Sequence, residues 1–311
     1  MKIYRGRYIS DLYRQILDDL LNKPEHVSRP RDLEVRETLN CVIEVQEPDA
    51  NLYRNPARSS QDRYVAAEML WYFCGFSGIG FIKNYTKGWN GLTNENGEVN
   101  SAYGNLIFTE KNEHGYTQYQ WAIESLKKDR DTRQAFMHFN KPKHQYMGNR
   151  DQVCTMGALF HIRENRLHMT LNMRSNDAIL GFATDFTFFN VLHQHACLHL
   201  KKYYPELEMG PYTHISHSMH LYEKHYGLVE DMLSKSFTPD RTPTMNTPIV
   251  DETGSFDVAK YPQIHKMVVE GTKENLEKTD NDVLNWCIDK INEIKPQTKS
   301  PTTFTQWRTA I

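Results

Sequence analysis

The chain has 311 residues, 39% of them hydrophobic and 12% aromatic, which supplies a core for one large domain or two small ones and excludes intrinsic disorder. Its 37 Lys+Arg against 39 Asp+Glu give a formal charge of −2, whereas a duplex-coating protein carries a basic excess. The balance points to a small anionic ligand held by a few placed arginines, and nucleic acid is not an expected partner.

In chain order, residues 8–22 carry apolar positions at helical spacing, with Ser10 or Asp11 as the expected N-cap. Residues 23–36, polar and with two prolines, read as a loop, and 38–46 alternate as a strand. Residues 61–75 predict a largely buried helix closed by Gly75. Glu68 sits inside it among Ala67, Met69, Leu70 and Trp71, where a carboxylate needs a partner or a wet cavity. The Gly- and Asn-rich stretch 85–104 reads as loop and presents two large aromatics, Trp89 and Tyr103.

A short amphipathic helix follows at 117–128, then a strand from Ala135, then a hairpin over 156–173 turned by Arg163-Glu-Asn-Arg166. Residues 186–202 predict a long buried helix, His214–Tyr222 a strand, and 223–234 a further helix. Beyond Lys235 the chain is polar and proline-containing until a last helix near 281–294. The simplest organisation is a catalytic domain over 1–235 with a continuous C-terminal extension over 236–311.

No run of about 18 apolar residues is present, and the N-terminus lacks the apolar stretch of a secretory leader. The five cysteines are odd in number, widely spaced and without a Cys-x-x-Cys pair, so free thiols in a reducing cytoplasm are expected. His195 and His199 share a helix face, but the glutamate of a His-Glu-x-x-His zinc motif is missing between them, and no metal is expected.

The chemistry concentrates in Cys154, the hairpin that follows it, Arg174-Ser-Asn-Asp177 and Gly181-Phe-Ala-Thr-Asp185. An isolated cysteine is most often a small buried hydrophobe, but an arginine at the end of the next strand favours the thiolate. The block resembles the catalytic core of the thymidylate synthase superfamily. It is most similar to the cytidylate hydroxymethylase branch, where Asn-Met-Arg-Ser-Asn-Asp and Gly-Phe-x-x-Asp also occur. The likeness runs over most of positions 8–235.

The resemblance implies an α+β fold, a mixed β-sheet flanked by helices, in a homodimer formed through sheet packing. It also implies a pyrimidine nucleoside monophosphate and 5,10-methylenetetrahydrofolate as ligands. Cys154 would attack C6 of the pyrimidine. Glu68, in Ala-Glu-Met-Leu-Trp-Tyr-Phe, and Tyr103, in Ala-Tyr-Gly, would serve water and proton transfers. Trp89 and Asp177 would contact the folate. Arg174 and Ser175 would bind phosphate, Arg133 would reach the partner's phosphate, and His220 with Tyr222 would hold the sugar 3′-hydroxyl.

Four departures from the synthase pattern bear on specificity. Asp185 stands where synthases have asparagine; a carboxyl accepts from cytosine N4 and, protonated, donates to N3. Thr155 and Met173 replace the usual histidine and glutamine. Gln134 replaces a second cross-dimer arginine, leaving Lys141 or Lys143 as substitutes. The Arg-Thr-Gly-Thr-Gly phosphate loop is replaced by a segment whose arginines include Arg31 and Arg36. The implied activity is conversion of dCMP, or CMP, to its 5-hydroxymethyl derivative. The alternatives are a methylase of the same family, which the terminal Ala310-Ile311 keeps in view, and a non-catalytic nucleotide- or RNA-binding relative.

Overall fold

The computed structural model describes residues 1–273 and 275–293, so the Ala310-Ile311 tail lies outside the described residues. The chain begins β1 (Ile3–Gly6), α1 (Ile9–Asn22), β2 (His26–Ser28), β3 (Val35–Val45), β4 (Leu52–Arg54) and α2 (Asp62–Phe73). It continues α3 (Gln118–Lys128), β5 (Phe136–His138), β6 (Thr155–Arg163), β7 (Arg166–Met173), β8 (Asn176–Asp177) and α4 (Phe182–Leu200). The last elements are β9 (Glu208–Tyr222), α5 (Tyr226–Leu233), β10 (Thr238–Asp240), α6 (Pro262–Glu270) and α7 (Asp282–Asn292). Helices and a mixed sheet make this an α+β fold.

The chain divides into two compact units. The first comprises Met1–Ser60, Ala122–His138 and Cys154–Thr244. Its main sheet runs β1-β3-β9-β7-β6-β5, with β2 added on β3 and β8 on β9. Pairing is parallel for β1–β3, β7–β9 and β8–β9 and antiparallel for β3–β9, β6–β7 and β5–β6. The period of two is plain on β7, where Leu167, Met169, Leu171 and Met173 are buried and Arg166, His168, Thr170 and Asn172 are half-exposed.

Helices α1 and α4 contact the sheet. Nearly all of α4 is buried, as an all-round apolar helix must be, and its Phe186 and Phe182 rings meet Tyr212 and His214 of β9 edge-on at 5.2 and 5.0 Å. Each such buried aromatic contributes roughly 1.5–3 kcal/mol of transfer free energy. Among the residues not covered in this way are Phe136, Met156, Leu159, His161, Thr213 and Ile215, which keep partial exposure on the strands.

The β6–β7 hairpin turns through Glu164 (φ 50°) and Asn165 (φ 60°), the two left-handed residues that a two-residue turn needs to match strand twist. Three local expectations are corrected. Helix α1 starts at Ile9 after an uncapped Tyr8, because the chain enters the helix directly from β1; Ser10 is buried in the first turn and caps nothing. The expected loop at 23–36 contains β2 and one 3₁₀ turn, Pro30–Asp32, and pairing with β3 is what makes its polar residues a strand. The C-terminal tract contains β10 and α6 as well as α7.

The second unit comprises Gln61–Trp121, Phe139–Val153 and Met245–Ile311. Helix α2 is buried along its length and packs on α6 and α7, with Cys287 Sγ 3.9 Å from Met69 Sδ. Gly75, at φ 66°, ends its last turn. Asn281 caps α7 by accepting from the Leu284 N–H at 2.8 Å.

Candidate active site

In the first unit the β6–β7 ladder continues one bond past the strand ends, with the Arg174 N–H donating to the Cys154 carbonyl at 2.9 Å. Cys154 and Arg174 therefore stand opposite each other, and Arg174 Nη2 reaches Cys154 Sγ at 3.5 Å. A cation at the sulfur favours the thiolate. The other thiols are in the opposite situation. Burial pushes Cys41 up to about 12 and Cys197 up to about 11, and it pushes Cys74 and Cys287 up further.

Strand β8 follows at once, its Asp177 in register with His220 of β9. Asp177 Oδ1 accepts from the N–H groups of Ile179 and Leu180 at 2.7 and 3.0 Å, while its Oδ2 is buried with no hydrogen-bond partner. His220 and Tyr222 project from the same end of β9, their rings 5.2 Å apart at 80°. Burial and then Asp177 push the Tyr222 phenol up, against the pull of the nearby Arg31. Arg31 has φ 55° and the next residue, Asp32, φ 61°, two strained residues in the turn that carries this guanidinium. Ser175 is half-buried between Arg174 and Asn176.

Asp185 lies in the first turn of α4, where its Oδ2 accepts from Asn176 Nδ2 at 3.0 Å. Asn176 Oδ1 is in turn 3.0 Å from Nε2 of the buried His214.

Two sequence candidates stand apart from this cluster. The Arg36 guanidinium donates to the Leu21 carbonyl and lies 4.1 Å over the Tyr226 ring. Arg133 is exposed before β5 and has no hydrogen bond or ion pair among the described residues.

The second unit holds Glu68, Trp89 and Tyr103. The buried Glu68 accepts at Oε1 from both Tyr64 and Tyr72, at 2.5 and 3.2 Å, so the carboxylate in the apolar helix has its partners. Trp89 packs edge-on against Trp71 at 5.1 Å. Tyr103 packs beside Tyr72 at 5.6 Å and Phe139 at 6.0 Å. The segment leading to Tyr103 is pinned by Asp151, which accepts from Ser101 N and Oγ at 2.7 and 2.5 Å. Lys141 and Lys143 both pair with Glu110. Burial raises that carboxyl, and the hydrogen bonds from the two lysines outweigh it and hold Glu110 low.

Sequence reasoning passed over three residues of the first unit. Arg58 is half-buried and donates to Tyr13 and Tyr53 hydroxyls at 3.0 and 2.8 Å and to the Ile179 carbonyl, bracing the turn after Asp177. Asn176 and His214 are the others. His214 had a signal, since it shares the period-two face of β9 with the apolar core and a histidine there needs a polar partner. Among the described residues no group of three His, Cys, Asp or Glu side chains is placed to hold a metal ion. No helix of the described residues is long and apolar enough to cross a membrane.

Comparison with known proteins fits this arrangement. A deoxycytidylate 5-hydroxymethyltransferase of Enterobacteria phage T4 is 29% identical over 183 residues, covering 54% of this chain and 70% of that protein. A deoxyuridylate hydroxymethyltransferase of Bacillus phage SP01 is 26% identical over 244 residues, 75% of this chain and 62% of that protein. A thymidylate synthase of Vesicomyosocius okutanii is 26% identical over 176 residues, 55% of this chain and 64% of that protein. The sequence profile named Thymidylate synthase matches residues 12–290, most of the chain, and the protein therefore belongs to the thymidylate synthase family.

Proposed function

We propose that this chain is a deoxycytidylate 5-hydroxymethyltransferase. Family membership makes it a folate-dependent one-carbon transferase that places a hydroxymethyl or methyl group on C5 of a pyrimidine nucleotide. What supports the finer reading is Asp185, a carboxyl at the position that the resemblance assigns to base reading, held by an amide donor from Asn176. A carboxyl that accepts at one oxygen and shares a proton at the other matches the N4 amine and N3 of cytosine. Uracil presents the reverse pattern at these two positions.

In this reading Cys154 Sγ forms a bond to C6, which moves the ring's electron pair to C5 and makes that carbon a nucleophile. Arg174 supports the thiolate and, with Ser175 and Arg31, binds the phosphate; Arg31 is preferred to Arg36, whose guanidinium is committed to Leu21 and Tyr226. His220 and Tyr222 hold the sugar hydroxyl. C5 bonds to the one-carbon unit as the donor nitrogen leaves that carbon with the bonding electrons, and C5 gives up its own proton to the groups the resemblance assigns to proton transfer, Glu68 and Tyr103. The same two residues orient the water whose oxygen then bonds to the exocyclic carbon and take up its proton. Loss of the C6–S bond then returns the electron pair to sulfur and restores the ring.

The one-carbon donor fits the donor set. The buried Asp177 Oδ2, without a partner, suits the N–H edge of a pterin, the role the resemblance assigns to it, as it assigns Trp89 to the same ligand. When bound, 5,10-methylenetetrahydrofolate supplies a one-carbon unit at the formaldehyde level. A second copy of this chain is the expected partner, because the partly exposed Phe136, Met156, Leu159 and Ile215 leave apolar area on strands of the sheet. Arg133, exposed and unpaired among the described residues, then serves the phosphate of that partner.

The test is mass spectrometry of the nucleotide after incubation with methylenetetrahydrofolate and dCMP, CMP or dUMP. A hydroxymethyl product from dCMP, lost in Cys154→Ser, is expected. A methyl product, or turnover of dUMP alone, refutes the reading and leaves the family assignment standing.

A further inference from the structure

Behind Asp185 a line of buried polar side chains runs back through the core. Tyr212 Oη is 3.2 Å from His214 Nδ1, His214 Nε2 is 3.0 Å from Asn176 Oδ1, and Asn176 Nδ2 is 3.0 Å from Asp185 Oδ2. Tyr212 and His214 are fully buried and Asn176 nearly so. One arrangement of protons satisfies every link. Asn176 Oδ1 carries no proton, so His214 must donate from Nε2. Burial keeps the imidazole neutral, holding it down to about 3, so its Nδ1 accepts. Burial and, next, the charge of Asp185 push the Tyr212 phenol up, so Tyr212 keeps its proton and donates it to that nitrogen. The amide nitrogen of Asn176 is left facing Asp185. Each proton in the line points toward the carboxyl.

We propose that Tyr212, His214 and Asn176 form a one-way positioning line that holds Asp185 Oδ2 as an acceptor and puts any proton shared with the base on Oδ1. The inference rests on the reading that Asp185 meets the pyrimidine edge. Its consequence is an orientation as well as a preference. Oδ2, which already accepts from Asn176, takes the N4 amine, and Oδ1 shares its proton with N3. Uracil then meets an acceptor opposite its O4 and a donor opposite its N3–H, two mismatched contacts that an unpinned carboxyl avoids in part by turning over or moving its proton. A buried mismatched pair is costly because neither group has water to turn to.

The backbone beside the pair is shaped to allow the contact. A Cβ on Gly181, at the N-terminus of α4, would lie 3.0 Å from Asn176 Nδ2 and 3.3 Å from Asp185 Oδ2. A side chain there would press on both partners and push them back by a few tenths of an ångström.

The test measures dissociation constants of dCMP and dUMP by calorimetry without folate, in the wild type and in Asn176→Leu, Gly181→Ala, His214→Gln and Asp185→Asn, with melting curves for folding. Asn176→Leu removes the donor at the end of the line, and Gly181→Ala presses a methyl against both Asn176 and Asp185. Each is expected to reduce the dCMP-over-dUMP preference by about tenfold, mainly through tighter relative binding of dUMP. His214→Gln keeps an N–H for Asn176 and is expected to retain most of the preference. If folded Asn176→Leu and Gly181→Ala weaken both nucleotides alike, or leave the preference unchanged, the line is only scaffolding and the proposal is overturned. Asp185→Asn separates the two layers. A preference unchanged in Asp185→Asn removes the base-reading role itself, whereas a preference reversed there but intact in Asn176→Leu removes only the positioning line.

Discussion

Lowering the pH from 7 to 5 should strip several kcal/mol from the stability of this protein through its buried histidines, among them His193, His195 and His214. His193 in α4 and His214 in β9 are fully buried, and desolvation pushes them down from 6.5 to about 4 and about 3. His193 Nε2 donates to the Leu167 carbonyl at 2.7 Å, which requires only the neutral ring, while its Nδ1 is buried without a partner to receive a second proton. The sign follows from proton counting. Between pH 6.5 and each folded value the unfolded chain binds a proton that the native state refuses, so the stability is fully present above 6.5 and drains away as the pH falls toward 4 and then 3. Integration from pH 7 to pH 5 gives about 1.8 kcal/mol for each histidine and close to 4 kcal/mol for the pair. That is a large share of the roughly 5–15 kcal/mol that holds a folded domain. Urea unfolding followed by circular dichroism at pH 7, 6 and 5 measures it. His193→Phe should flatten the decline by about 1.8 kcal/mol, the share of one histidine, while the fully buried His195, also held well below 6.5, keeps its own contribution. A stability that changes by less than about 1 kcal/mol over this range, or a slope unaltered in His193→Phe, would refute the argument.

Other outcomes follow from single contacts. Arg58→Met leaves two tyrosine hydroxyls and the Ile179 carbonyl without their guanidinium and should destabilise the fold by about 1–3 kcal/mol in denaturant titrations. Asn281→Ala removes the α7 cap and should cost about 1 kcal/mol; an unchanged midpoint would show that the Leu284 N–H finds another acceptor. The wild type should sediment as a dimer and Ile215→Glu as a monomer with little turnover, since a lone copy lacks its partner's Arg133. A wild-type monomer with full activity would disprove that arrangement.

What the sequence made legible follows the range of the interactions involved. The β6–β7 hairpin was readable because its turn and its alternation are both local, and the contact between Arg174 and Cys154 follows from extending that register by one bond. Helix α6 escaped, although Pro262 at its start and Gly271 just past its end are ordinary helix punctuation, because the polar tract around it masked Ile264, Met267 and Val268. Helix α4 begins four residues before the expected start, and that difference is what places Asp185 in a helical first turn. The link between Asn176 and His214 was not legible. It spans 38 positions and depends on β8 and β9 lying side by side, which neither segment's pattern announces. Arg58 is a similar case, since its acceptors come from three separate parts of the chain.

Strand β9 pairs with β3 along one edge and with β7 and β8 along the other. Its period of two sends Tyr212 and His214 into the core and leaves Thr213 and Ile215 partly exposed. Deleting or inserting one residue inside β9 would exchange these sets beyond the lesion. His214 would be lost to Asn176, Ile215 would be turned into the core, and His220 would be moved out of line with Asp177. Length changes in the connection between α4 and β9, at 201–207, leave that alternation intact. Related proteins that keep this reaction should therefore vary in length between α4 and β9 and not within β9, whatever residues they carry there.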